Sequence, residues 1–162
     1  HDEETQVYLP QMVFEARADD LIDIAGFTRI SEKTVAQAIA NTGLNYEDWT
    51  IRKEVRQDKP ILHLYIELNS ERKPAAEIAS LLHREMKKVD RFYYDLDSMM
   101  DIHPLEVTVL RPGTFADYYR EKMEAGVELS QRKPPRINAP DNVISQLVCP
   151  KREEAIRIKV AI

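Results

Sequence analysis

Residues 49–69 read WTIRKEVRQDKPILHLYIELN, and two stretches of period-two patterning meet there end to end. In the second half Leu62, Leu64, Ile66 and Leu68 occupy alternate positions, the repeat that places side chains on one face of a strand. In the first half Trp49, Ile51 and Val55 share one parity. Between the halves, Asp58, Lys59 and Pro60 supply turn chemistry, because aspartate bonds its own backbone and proline presets φ. The expectation is a β-hairpin with Trp49, Ile51 and Val55 on one side of its first strand and the four aliphatic residues on one face of its second.

Working towards the N-terminus, Ser31 is placed to cap a helix in which Val35, Ala38, Ile39 and Thr42 share a face, and Gly43 stands where a left-handed residue closes it. Further upstream, QMVFEAR (11–17) and DDLIDIAG (19–26) read as two short strands of an N-terminal hairpin, with an acidic break at Asp19 and Asp20 and Gly26 at the close. Towards the C-terminus, Pro74 opens a helix carrying Ile78, Leu81, Leu82 and Val89 at helical spacing, with Glu85 interrupting the apolar face. PLEVTVL (104–110) reads as a third strand of the sheet, with Leu105, Val107 and Val109 on one side. Thr114 is an expected N-cap for a helix presenting Phe115, Tyr118, Tyr119 and Met123, and Gly126 is its stop. A short helix starting near Asp141 and a last strand in AIRIKVAI (155–162) complete the reading. The expected fold class is α+β: a small three-stranded sheet with flanking helices and an N-terminal β-hairpin.

The 162 residues suit one core-forming domain, and 43% hydrophobic with 31% charged residues is ordinary globular composition. No apolar run approaches the ~20 residues of a membrane-spanning helix. A net charge of −5 argues against nucleic acid as a partner, since such proteins carry a basic excess on one face. The single cysteine, Cys149, excludes an internal disulfide and a cysteine-rich zinc site, so the expected compartment is the cytoplasm and the thiol is expected to be buried or inert. The start at His1 and the absence of signal-peptide features in HDEETQ suggest a piece of a longer protein.

Self-contained catalytic motifs are missing. His1, His63, His83 and His103 lack metal-ligand spacing, so no metal site is expected and each is read as structural or exposed. The glycines at 26, 43, 113 and 126 form neither a phosphate loop nor a nucleophile elbow, and Asp95 and Asp97 fit a solvated helix face. What stands out is SQRKPPRI (130–137), a stiff, basic, non-helical stretch with Arg132, Lys133 and Arg136 around two prolines. Taken alone it reads first as a solvated basic loop, with a functional loop as the alternative.

Three groups of residues add a family resemblance. Pro10, Gln11, Phe14 and Arg17, followed by Gly26, Arg29, Ile30, Ser31 and Glu32, resemble the passage from the large to the C-terminal domain in the auxin-responsive-promoter family of acyl-acid amido synthetases. The strand residues Pro104, Leu105 and Glu106, the helix start Gly113, Thr114 and Phe115, and the closing Gly126, Gln131, Lys133, Pro135 and Arg136 are similar to that family's later motifs. His103 stands where the family has glycine, Arg132 where it has an aromatic residue, and Arg29 where it has lysine. The likeness covers roughly residues 8–137 and extends to the wider adenylate-forming superfamily.

The resemblance implies residues 1–19 as linker and hinge strand from a large domain outside this sequence, and residues 20–162 as a mobile C-terminal lid. It implies an ATP- and magnesium-dependent ligase that adenylates a carboxylic acid and passes the acyl group to an amine, usually of an amino acid, with both ATP and magnesium bound mainly by the large domain. Lys133 is then the catalytic cation, Arg17, Arg29 and Gln131 nucleotide-binding candidates, and Asp19 the hinge. The isolated chain is expected to be inactive. A lid from an acyl-CoA ligase and a non-catalytic binding module are the alternatives.

Overall fold

The computed structural model describes residues 21–149 apart from 25, 27, 70–72 and 101–103, with backbone alone at 97, 99 and 100. The first segments to pair are β1 (Leu21–Ile24) and β2 (Thr28–Ser31), antiparallel across a turn at Gly26. Gly26 takes φ 82° there, and its N–H donates to Asp23 Oδ1 at 2.8 Å. An N-terminal hairpin is thus present, but LIDI pairs with TRIS beyond Gly26; QMVFEAR lies outside the described residues, as does AIRIKVAI.

Ser31 leaves β2 and caps α1 (Glu32–Thr42), its Oγ accepting the Thr34 N–H at 3.2 Å, and Gly43 closes the helix at φ 70°. Next come β3 (Tyr46–Arg56) and β4 (Lys59–Leu68), the hairpin read from residues 49–69. Its turn is Gln57–Asp58, both at positive φ (50° and 62°), so Lys59 and Pro60 already belong to β4 instead of to the turn. Two left-handed residues match the twist of the strands they join. Val55 shares the side of Trp49 and Ile51 but is 64% exposed, because the last residues of β3 run out beyond the core.

α2 (Ala75–Val89) and α3 (Arg91–Met100) then carry the chain across to β5 (Leu105–Leu110), which pairs with β4 in parallel. The sheet order is β3-β4-β5, so β4 is central. One face takes Trp49, Ile51, Leu62, Leu64 and Ile66 against Ile39 of α1, Leu82 of α2 and Leu96 of α3. The other face takes Tyr65 and Leu110 against α4 (Thr114–Glu124) and α5 (Asp141–Val148). Central position explains why His63, Tyr65 and Glu67 are buried along with the aliphatic residues between them.

Thr114 is the first residue of α4 and not its cap. Its hydroxyl donates backwards to the Arg111 carbonyl at 2.8 Å, while Glu67 of β4 reaches the helix start and accepts the N–H groups of Gly113 and of Phe115, the latter at 2.9 Å. A carboxylate at a helix N-terminus satisfies orphan donors and complements the helix dipole.

Candidate active-site loop

Lys133 sits on a connection built in three parts. Gly126 (φ 72°) closes α4, with Val127 N–H bonded to the Lys122 carbonyl at 3.0 Å and Gly126 N–H to Met123 at 3.1 Å, a Schellman arrangement. A single 3₁₀ turn, Leu129–Gln131, follows, so the stretch expected to be free of helix contains one tight turn at its start. Arg132 folds back and donates from Nε to the Val127 carbonyl at 2.8 Å.

Past Pro134, which is buried, the chain joins the free edge of β3. Ile51 N–H donates to the Arg136 carbonyl at 2.8 Å and Asn138 N–H to the Ile51 carbonyl at 2.9 Å, forming a parallel bridge between Ile51 and Ile137. The Thr50 hydroxyl donates to the Pro135 carbonyl at 2.6 Å. Arg136 bonds Asp48 Oδ1 at 3.0 Å, approaches Glu32 Oε1 at 3.7 Å and lies 5.1 Å from the centre of the Trp49 ring. That cation–π contact and the ion pairs tie loop, β3 and the start of α1 together.

Lys133 itself is exposed and shares no hydrogen bond or ion pair with any described residue. Beside it is a hollow of about 310 Å³, lined by Glu47 and Asp48 of β3, Phe115 and Tyr119 of α4, and Lys133 and Pro134 of the loop. The backbone on both sides of the lysine is therefore held while its ammonium is free to meet an anion.

Of the other sequence-derived candidates, Gln131 is exposed in the 3₁₀ turn two residues before Lys133, and Arg29 is exposed on β2 without a hydrogen bond to the loop. Arg17 and Asp19 lie outside the described residues. Cys149 is exposed at the end of α5, which removes burial from the expectation of a buried or inert thiol. Among the described residues no group of three or more histidines, cysteines or carboxylates could hold a metal, and no helix is long and apolar enough to cross a membrane.

Sequence reasoning overlooked a polar cluster on the α4/α5 side of the sheet. Glu54 accepts from His63 Nδ1 at 2.9 Å, Tyr65 Oη at 2.7 Å and Arg52 Nε at 2.8 Å, and His63 Nε2 meets Thr108 Oγ1 at 2.8 Å. Burial alone would raise the Glu54 pKa, but the hydrogen bonds from His63, Tyr65 and Arg52 outweigh it and hold the carboxyl at about 2. Burial, then the bond to Glu54, pushes Tyr65 up to about 12. Arg52 also reaches Asp141 Oδ1 at 2.5 Å, fastening α5 to β3. The cluster staples β3, β4, β5 and α5 to one another. Its sequence signal was the polar parity of His63 and Tyr65 within a strand apolar on the other parity.

Residues 31–142 match the family described as the GH3 family C-terminal domain, and the chain belongs to that family. Among solved structures it is similar to the GH3.15 acyl acid amido synthetase, at 21% identity and a TM-score of 0.65 over 79% of this chain. It is likewise similar to AtGH3.15 acyl acid amido synthetase in complex with 2,4-DB, at 21% identity and a TM-score of 0.64 over 81% of this chain. At that identity the likeness is one of fold. The chain spans 26% and 25% of the lengths of those two chains. No curated protein sequence matches it significantly.

Proposed function

We propose that this chain is the mobile lid of an ATP-dependent acyl-acid amido synthetase, and that Lys133 is its catalytic group. The observation that carries the reading is the free Lys133 ammonium on a loop whose backbone is bonded to β3 on one side and pinned by Arg132 on the other, in a member of the GH3 C-terminal family. Carboxylate attack on ATP moves negative charge onto the α-phosphate and the leaving pyrophosphate. A lysine swung in by the lid stabilises that charge more in the transition state than in the ground state. ATP and magnesium are held mainly by a large domain of the same polypeptide, which the neighbours' lengths accommodate. The acyl group then goes to an amine of an amino acid, in the cytoplasm. Gln131 stands two residues from Lys133 and is assigned to the nucleotide with it; Arg29 of β2 is assigned the same contact, as is Arg17 on its resemblance, and Asp19 is assigned the hinge, a position whose φ/ψ changes as a lid turns.

The test uses the full-length protein with ATP, magnesium and a panel of acetate, hexanoate, benzoate, phenylacetate and 2,4-DB. At least one acid should support pyrophosphate exchange, and a mixture of amino acids should then release AMP and yield an amide. The 162-residue chain alone should support neither. Exchange with none of the acids, thioester formation with coenzyme A in place of amide, or turnover by the isolated chain would contradict the reading.

A further inference from the structure

Thr50 is fully buried in the middle of β3, yet its hydroxyl proton goes to the Pro135 carbonyl, 85 residues along the chain, at 2.6 Å. The Arg136 carbonyl lies 3.4 Å from the same hydroxyl oxygen, a longer second contact. Burying a hydroxyl is costly unless it is bonded, and a β-strand position of this kind is filled at lower cost by valine, which has the same shape. The partner is specific as well: Pro135 follows the Lys133–Pro134 pair, neither proline has an N–H, and the Pro135 carbonyl is the first backbone group after the lysine to be hydrogen-bonded among the described residues. The next contacts, Ile51 N–H to Arg136 and Asn138 N–H to Ile51, lie one and three residues further on.

From this geometry we infer that Thr50 is a positioning residue for Lys133: its hydroxyl sets where the loop leaves β3 and hence where the ammonium stands over the hollow. The inference rests on the lid reading of Lys133. A displacement on the order of 1 Å in a positioned catalytic group costs up to ~100-fold in rate.

Two experiments test it. In the full-length enzyme, Thr50→Val, which keeps shape and removes the hydroxyl, should lower kcat for pyrophosphate exchange about 10- to 100-fold, with KM for ATP changed by less than about threefold. Thr50→Ser, which restores the donor, should recover to within about threefold of wild type. In a Lys133→Ala background Thr50→Val should cost nothing more, because it acts only through the lysine. An equal loss in both backgrounds, or valine and serine variants that behave alike, would overturn the inference. In the 162-residue chain, amide hydrogen exchange at Asn138 and Ile51, whose N–H groups bond the loop to β3, should quicken in Thr50→Val while the β4–β5 ladder keeps its protection. Unchanged loop amides, or loss of protection across the whole sheet, would also overturn it. The two possible failures separate cleanly: an active Lys133→Ala enzyme removes the lid reading and this inference together, whereas an impaired Lys133→Ala beside an unimpaired Thr50→Val removes this inference alone.

Discussion

Glu54 is the residue on which the lower side of the sheet depends, since one carboxylate, 13% exposed, receives His63, Tyr65 and Arg52 from two strands. Its folded pKa of about 2 lies below the ordinary 4.5, so it is a depressed acid. The stability it contributes is complete above about pH 4.5 and disappears as pH falls towards 2. The wild-type chain should therefore lose on the order of 2 kcal/mol more than Glu54→Gln between those limits, the remaining solvent contact reducing the full linkage value. Urea unfolding at stepped pH measures this, and parallel curves for the two proteins would show that the cluster has no such role. At this scale the sequence was only partly legible. Ser31 and Gly43 were legible from cap chemistry, and Lys133 was singled out by its prolines and its family spacing as the residue to test. Thr50 and Glu54 were not, and Arg136 was placed in the motif without its partners, because each acts through a residue far along the chain or across a strand that no local pattern reveals.

At the scale of elements, the sequence announced strands and helices more clearly than it announced their ends. The β3–β4 pairing followed directly from alternation, but the turn settled at Gln57–Asp58, since two residues in the left-handed region close a two-residue hairpin with Pro60 inside the strand. Val55 kept the right parity and still came out exposed, because parity chooses a face and only neighbouring elements decide whether that face is covered. The start of α4 teaches the same point: Thr114 has the chemistry of a cap, but a buried glutamate from β4 occupies the role. Glu67→Gln should lower stability by about 1 to 2 kcal/mol, since charge-assisted bonds to a helix N-terminus become neutral ones. Glu67→Leu should cost more, leaving the Gly113 and Phe115 N–H groups without their acceptor. Chemical denaturation ranks the three proteins, and a leucine variant as stable as wild type would refute the capping role.

On the scale of the whole molecule, two layers of helices sandwich three strands, and the loop after α4 returns to the outer edge of β3, where it presents Lys133 above the hollow between β3 and α4. The α+β class and the three-stranded sheet were legible because the apolar periods are strong. The return of the loop to β3 was not, since a single Ile51–Ile137 bridge leaves no period to read. The account stands on Lys133 as the cation of adenylation. Its most direct test is acid-dependent pyrophosphate exchange by full-length Lys133→Ala beside Lys59→Ala, a lysine likewise exposed and without a side-chain partner among the described residues, next to the turn of the β3–β4 hairpin. Loss of one stabilising charge from a water-poor site costs about 100- to 1,000-fold in rate, so Lys133→Ala should fall by that factor and Lys59→Ala should stay within about twofold of wild type. Exchange at the wild-type rate in Lys133→Ala, or an equal loss in Lys59→Ala, would contradict it.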